Sequence, residues 1–210
     1  LLFIIFKQIS HMKISLISTS HQKNSQSKRV LEIIKNIVLE IDSKIRCYEI
    51  DVFELNIPLW TSEKKENPKF WENDVKKISD YLALSDGFIF IVPEYGGMAT
   101  PSAKNFFLVF NNGELFHKPG LIVSISSGSG GAYPVSELRS SSYKNTHIMW
   151  IPENIIIRNV EQFNPGNHGA LIPNWIDERI KYSCNLLIKY AEYLKPIQHI
   201  INRKDFSNGM

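Results

Sequence analysis

The chain has 210 residues, of which 43% are hydrophobic and 21% are charged, and its formal net charge at pH 7 is +3. This length and composition are typical of a soluble globular protein with one sizeable core. The basic residues are scattered, which argues against a nucleic-acid-binding stripe. Its two cysteines, Cys47 and Cys184, form no CxxC pair, so we expect reduced thiols, no disulfide framework and a cytoplasmic location.

The chain opens on a short apolar segment, residues 1–6, which Lys7 interrupts. It is far shorter than the roughly 20 residues that cross a bilayer, and it lacks the features of a signal peptide. No membrane association is therefore expected. Because the first strand pattern begins at Met12, we expect residues 1–11 to be an N-terminal extension and residues 12–210 to form a single domain.

Strand and helix patterns then alternate along the chain. Apolar runs predict five strands, over residues 12–18, 45–52, 87–92, 121–125 and 154–160. Apolar residues at helical spacing predict a helix after the first strand, a second from Trp71 to Leu82, a third beginning near Pro101, and a long closing helix from Ile180 to Leu194. This alternation is typical of parallel βαβ units.

We therefore predict an α/β fold, a flavodoxin-like three-layer sandwich. Its five-stranded parallel sheet would have the order 2-1-3-4-5, with helices on both faces. Ligands bind such sheets beyond the carboxyl ends of the strands, where the strand order reverses. The loops after strands one, three and four would therefore meet at one crevice.

The loop after the first strand, residues 18–27, is rich in hydroxyl and amide donors and contains no acidic residue. A helix begins behind it, and the N–H groups of a helix N-terminus favour a phosphate. Lys23, Lys28 and Arg29 add positive charge nearby. The alternative is that Ser and Asn only cap the helix. The GxxxxGK[ST] signature is absent, which disfavours nucleoside triphosphate hydrolysis.

Glycine-rich loops follow the third and fourth strands, over residues 93–98 and 126–131. The first combines Pro93 with paired glycines, which predicts a tight turn that lets Tyr95 lie against an aromatic ring. The second matches neither GxGxxG, because Tyr133 stands at the last glycine position, nor a GxSxG elbow, because Ser127 stands at the first. Each loop alone could be an ordinary turn.

Together these segments resemble the NADPH-dependent FMN reductase family of flavodoxin-like flavoproteins, over about residues 12–132. The family's Gly-Ser-x-Arg-x-x-Ser-x-Asn phosphate loop corresponds to residues 19–27, and its Pro-Glu-Tyr-Asn-Gly segment to residues 93–97. Its Leu-Lys-Asn, Lys-Pro and glycine-rich segments are similar to residues 103–105, 118–119 and 127–131.

The resemblance implies an FMN cofactor, NADPH or NADH as electron donor, and a small-molecule electron acceptor. It implies no catalytic acid, base or nucleophile, because the chemistry belongs mainly to the flavin. The six histidines show no metal-ligand spacing, so no metal is expected. The resemblance implies three groups of cofactor-binding residues. The phosphate would be held by Ser20, Gln22, Ser25, Gln26 and Ser27, and the flavin ring would be bordered by Pro93, Glu94, Tyr95, Gly96 and Gly97. The other side of the ring would be closed by Ser127, Gly128 and Gly131.

Several positions depart from the family pattern. Thr19 replaces a glycine, Gln22 an arginine, and Ser27 and Gly96 each an asparagine, while Leu108 stands where an acidic residue is usual. Loss of the arginine removes a charge-assisted phosphate contact. We therefore expect weaker FMN binding unless Lys23 compensates.

The sequence leaves the terminal acceptor open between a free flavin, a quinone, an azo compound and a metal oxyanion. The rival functions are a non-enzymatic flavin-binding protein or flavodoxin-type electron carrier, which usually has an acidic face, a relative that has lost flavin, and a serine hydrolase. The resemblance also implies a homodimer or homotetramer, in which Phe106, Phe107 and Phe110 would be either core or interface.

Overall fold

The computed structural model describes residues 11–55, 57–63, 69, 72 and 74–200, and the structural statements below refer to these residues. Five parallel strands form the central sheet: β1 (Lys13–Ser18), β2 (Arg46–Asp51), β3 (Gly87–Tyr95), β5 (Pro119–Ile125) and β6 (Met149–Ile157). Their order is β2-β1-β3-β5-β6, and the short strand β4 (Met98–Ala99) pairs antiparallel with β3. The predicted flavodoxin-like sheet is confirmed, with β4 as an unpredicted addition.

Helices connect the strands and cover both faces of the sheet. In chain order they are α1 (Gln26–Ile41), α2 (Val52–Leu55), α3 (Asp74–Leu84), α4 (Pro101–Val109), α5 (Ala132–Ser141), α6 (Tyr143–Thr146) and α7 (Ile176–Ile200). Helix α4 begins at Pro101 as predicted, and the side chain of Thr100 caps it by accepting from the Ala103 N–H. Proline suits this first position because its missing N–H has no helical partner there.

Two separate hydrophobic clusters lie on opposite faces of the sheet. One packs α1 and α7 against the sheet, and the other packs α3, α4 and α5 against it. Strand β3 shows the division most clearly, because Ile89 and Ile91 belong to the first cluster whereas Phe88 and Phe90 belong to the second. Since successive side chains of a strand point to opposite faces, this alternation explains why the run is apolar throughout.

The last strand differs from its prediction. Strand β6 spans Met149–Ile157, whereas the sequence predicted residues 154–160. The register to β5 shifts, since Gly120 pairs with Trp150 and Ile122 pairs with Asn154. Pro152 lies in this irregular part and cannot donate a ladder hydrogen bond, which an edge strand tolerates. Beyond the strand, residues 160–162 form a 3₁₀ turn.

The three phenylalanines at the end of α4 and directly after it are core residues. Phe106 and Phe110 are fully buried and Phe107 is nearly so. Of the two alternatives, core or interface, the structure therefore favours core. Burial also raises the pKa of Cys184 to about 12 and that of Cys47 to about 11. Both thiols are therefore protonated at neutral pH and are poor nucleophiles.

Some predictions fall outside the described residues. These are residues 1–10 of the N-terminal extension, the predicted helix start at Trp71, and residues 201–210 of the predicted domain. Among the described helices, none combines the length and the apolar character that a membrane span requires.

Candidate functional site

The loop after β1 is anchored to its neighbours by Thr19. Its backbone N–H and its hydroxyl both donate to the Ile91 carbonyl, each at 3.0 Å. Its own carbonyl accepts from Thr100 Oγ1 at 2.9 Å and from Ser102 Oγ at 2.6 Å. Thr19 therefore joins β1 to β3 and to the start of α4, and its backbone is not in the left-handed region that would require the family's glycine.

Helix α1 begins at the end of this loop, where one serine hydroxyl has a hydrogen-bond partner and another has none. Ser25 is the N-cap, and its hydroxyl accepts from the Lys28 N–H at 3.2 Å. Ser27 is 1% exposed, and its hydroxyl has no hydrogen-bond partner. Helical geometry leaves the first N–H groups of α1 without helical carbonyl partners. The segment therefore offers several donors to a ligand.

A cavity of about 400 Å³ opens beside this helix start, at the carboxyl ends of β1, β3 and β5. Its lining comes from four segments of the chain and comprises Gln22, Asn24, Ser25, Gln26, Ser27, Pro93, Glu94, Tyr95, Ile125, Ser126, Ser127, Val160 and Glu161. The cavity thus lies where the strand order reverses, which is where ligands bind in this class of sheet.

Eight of the thirteen predicted cofactor-binding residues line this cavity: Gln22, Ser25, Gln26, Ser27, Pro93, Glu94, Tyr95 and Ser127. The other five lie beside the lining residues: Ser20, Gly96, Gly97, Gly128 and Gly131. The Ser20 hydroxyl is hydrogen-bonded to the Tyr95 hydroxyl at 2.8 Å and accepts from the Gln22 N–H at 3.1 Å. It therefore positions two lining residues.

The loop after β5 is held by Glu94. The Gly131 N–H donates to Glu94 Oε2 at 2.7 Å, and a Cβ atom at Gly130 would lie only 2.1 Å from Glu94 Oε1. Further along, the Asn159 N–H donates to the Gly128 carbonyl at 3.0 Å. The glycine-rich loop is thus fixed between β3 and the end of β6.

Five lining residues were not among the predicted set: Asn24, Ile125, Ser126, Val160 and Glu161. Asn24 and Ser126 lie inside loops that the sequence had already singled out. Asn24 adopts a left-handed backbone with φ of +53°, a conformation that asparagine tolerates. Val160 and Glu161 follow the last strand, where the composition carries no signal.

Two of the basic side chains near the phosphate loop bind other groups of the protein. The Arg29 guanidinium donates to the carbonyls of Val160 at 2.6 Å and Phe163 at 2.8 Å. Lys28 forms an ion pair with Glu54 and lies 3.8 Å from Asp51. The positive charge is therefore near the phosphate loop, as predicted, but the side chains of Lys28 and Arg29 are bonded to other groups of the protein. Among the described residues, no lysine or arginine lines the cavity.

Comparison with known proteins identifies the family of the chain. The family described as NADPH-dependent FMN reductase matches residues 12–162. No curated protein matches the chain.

Three solved structures share the fold at 15% sequence identity each. An oxidoreductase from Corynebacterium diphtheriae has a TM-score of 0.68, and the alignment covers 87% of this chain and 98% of that one. FerB from Paracoccus denitrificans, a flavoenzyme NAD(P)H:(acceptor) oxidoreductase, has a TM-score of 0.66 with the same coverage of both chains. The apo form of an NADH:FMN oxidoreductase also has a TM-score of 0.66, over 84% of this chain and 88% of its own.

The family match extends from the start of β1 to the 3₁₀ turn after β6, which includes all four segments that line the cavity. It covers well over half of the chain. The protein belongs to the NADPH-dependent FMN reductase family of flavin-dependent oxidoreductases.

Proposed function

We propose that this protein binds FMN in the 400 Å³ cavity and passes electrons from NADPH or NADH to a small-molecule acceptor. The observation that carries the proposal is the buried hydroxyl of Ser27, which lines the cavity and has no partner within the protein. A buried polar group without a partner costs about 1–3 kcal/mol. A ligand oxygen at this point would remove that cost.

The phosphate of FMN fits the end of the cavity formed by residues 22–27. Donors there are the Ser27 hydroxyl, the amide groups of Gln22 and Asn24, and the free N–H groups of the first turn of α1. The positive end of a helix stabilises an anion without a cationic side chain. This donor set supports phosphate binding although the family's arginine is replaced by Gln22.

The flavin ring fits between the loops after β3 and β5. Tyr95 of the first loop and Ser126 and Ser127 of the second all line the cavity. The Ser20–Tyr95 and Glu94–Gly131 hydrogen bonds hold both walls in place. Bound flavin supplies the capacity to accept a hydride and to release its electrons to a second substrate. The protein contributes binding and orientation.

The first experiment is to add FMN to the purified protein, remove unbound flavin by desalting, and record the visible spectrum before and after anaerobic addition of NADPH or NADH. We expect a retained flavin spectrum that bleaches promptly with at least one of the two donors.

Two outcomes contradict the proposal in different ways. If the protein retains no flavin and none binds at micromolar concentration, the cavity does not hold FMN. If flavin is retained but bleaches with neither nicotinamide, the protein is a flavin-binding protein or an electron carrier rather than a reductase.

A further inference from the structure

The charged residues that line the flavin cavity are both acidic. They are Glu94 and Glu161, and the described lining includes no lysine or arginine. A carboxylate repels an anion bound at the same site, so these residues work against any negative charge that the ligand carries or gains. Glu161 lies in the exposed turn after β6, where water screens its charge, whereas Glu94 is half-buried and its charge is screened less.

Glu94 reaches the start of α5 from the end of β3. Side chains two residues apart on a strand share a face of the sheet, and Val92 belongs to the hydrophobic cluster that packs α3, α4 and α5. Glu94 therefore points to the side of the sheet on which α5 begins. There Glu94 Oε2 accepts from the N–H of Gly131, the N-cap of α5, at 2.7 Å.

This hydrogen bond replaces a contact that many helices make within their own first turn. In a capping box, the third helical residue is a Glu or Gln whose side chain accepts from the N-cap N–H. The third residue of α5 is Pro134, and the first turn contains no acidic residue. Glu94 supplies the missing acceptor from a neighbouring strand, so it fixes the loop after β5 to the loop after β3.

The charge of Glu94 is only partly balanced. Its second oxygen, Oε1, packs against Gly130, where an added Cβ atom would lie 2.1 Å away, and no described residue donates a hydrogen bond to this oxygen. The N-terminus of α5 offsets part of the charge. By contrast, Glu137 on the same helix has a cationic partner, since Lys104 Nζ lies 2.7 Å from its Oε2. Arg158 reaches the loop, but its Nε donates to the Ser129 carbonyl.

The position of Glu94 makes this charge relevant to the redox state of a bound flavin. Glu94 joins the two loops between which the flavin ring fits. Two-electron reduction at neutral pH adds negative charge to the ring, while the charge of the phosphate stays the same. A fixed carboxylate in the wall around the ring therefore destabilises reduced flavin more than oxidised flavin.

We propose that the carboxylate of Glu94 makes the cavity bind oxidised FMN more tightly than reduced FMN, and so lowers the reduction potential of the bound flavin. The inference rests on the proposed function and deepens it, because it assigns a residue that sets how readily the flavin passes its electrons on. The hydride of NADPH or NADH supplies the two electrons and one proton of the reduction. Glu94 shifts the equilibrium of that step and adds no reactant to it.

The test compares wild type, Glu94→Gln and Glu94→Ala in two anaerobic titrations, one with oxidised FMN and one with FMN reduced beforehand by dithionite. Glutamine keeps an oxygen that can accept from the Gly131 N–H but carries no charge. Relative to oxidised FMN, Glu94→Gln should bind reduced FMN about tenfold more tightly than wild type does, since it removes one charge-charge repulsion at a partly buried site. The reduction potential of bound FMN, measured against a reference dye, should rise accordingly.

The flavin-free proteins separate the effect of the hydrogen bond from that of the charge. In urea, Glu94→Ala should unfold at a lower concentration than wild type, because the Gly131 N–H loses its acceptor, whereas Glu94→Gln should unfold as wild type does. Glu137→Gln is the matched control, because it removes a carboxylate from α5 itself but Glu137 does not line the flavin cavity. It should leave the ratio of the two FMN dissociation constants unchanged.

Three results overturn the inference while leaving the proposed function intact. An unchanged ratio of dissociation constants in Glu94→Gln would show that this charge does not act on the flavin. Equal shifts in Glu94→Gln and Glu137→Gln would assign the effect to the net charge of the molecule. Weaker binding of both forms of FMN alike, with easier unfolding of Glu94→Gln, would make Glu94 structural only. If wild type binds neither form of FMN, the proposed function fails together with the inference.

Discussion

At the scale of single residues, two serines at the start of α1 differ in their hydrogen bonding to the rest of the protein. The hydroxyl of Ser25 caps α1 by accepting from the Lys28 N–H. The hydroxyl of Ser27 is buried at the cavity without a partner. Sequence patterns treat both as candidates for capping or for phosphate binding. In the structure Ser25 caps the helix and Ser27 does not, and substitution by alanine should show what each hydroxyl contributes.

We expect Ser27→Ala to weaken FMN binding about tenfold, since a hydrogen bond to a charged group contributes about 1.5 kcal/mol or more. The stability of the flavin-free protein should not fall, because the change removes a buried polar atom that has no partner. Ser25→Ala should instead lower the free energy of unfolding by about 1 kcal/mol through loss of the cap. Fluorescence titration with FMN and thermal unfolding measure the two effects. A Ser27→Ala protein that unfolds earlier but binds FMN normally would show that Ser27 is structural.

At the scale of an element, the hairpin of β3 and β4 connects the loops around the cavity. Tyr95 pairs with Met98 across a two-residue turn, Gly96 and Gly97, whose φ angles are +58° and +77°. Such turns need positive φ at both central residues. The hairpin carries Tyr95, which is bonded to Ser20 of the phosphate loop, and its conformation therefore bears on both stability and the flavin site.

Gly96 stands where the family has asparagine, a residue that also adopts the left-handed conformation. We expect Gly96→Asn to keep both stability and FMN affinity, whereas Gly96→Val should lower the free energy of unfolding by about 1–2 kcal/mol. The nearest atom to a Cβ at this position is Met98 Cε at 3.9 Å, so the cost to valine is conformational rather than steric. Urea unfolding of both variants checks this, and an asparagine variant as unstable as the valine variant would contradict it.

At the scale of the whole molecule, the sequence predicts what depends on periodicity and misses what depends on tertiary contacts. Apolar runs that alternate with helical patterns predicted the sheet order, and the resemblance of the loops to the family predicted eight of the residues that line the cavity. The start of β6 was missed because Pro152 breaks the strand pattern. Val160 and Glu161 were missed because contacts across the fold, such as the bond from Arg29 to the Val160 carbonyl, bring this segment to the cavity.

Arg29 makes two of these contacts, whereas the charge pattern alone suggested only that it adds positive charge near the phosphate loop. It lies on α1, after the first strand, and its guanidinium donates to the carbonyls of Val160 and Phe163 after the last strand. A count of basic residues near a phosphate loop cannot show that backbone carbonyls occupy the guanidinium. These bonds join the start of α1 to the segment after β6 beside the cavity.

We therefore expect Arg29→Met to lower the free energy of unfolding by about 2 kcal/mol, because it removes charged hydrogen bonds and leaves carbonyl groups without partners. Lys28→Met is the matched control, since the neighbouring ion pair with Glu54 is exposed and such pairs contribute little to stability. Urea unfolding of the flavin-free proteins measures both. If Arg29→Met were as stable as Lys28→Met while its FMN dissociation constant rose steeply, the guanidinium would be a phosphate ligand, and the bonds to Val160 and Phe163 would give way when the flavin binds.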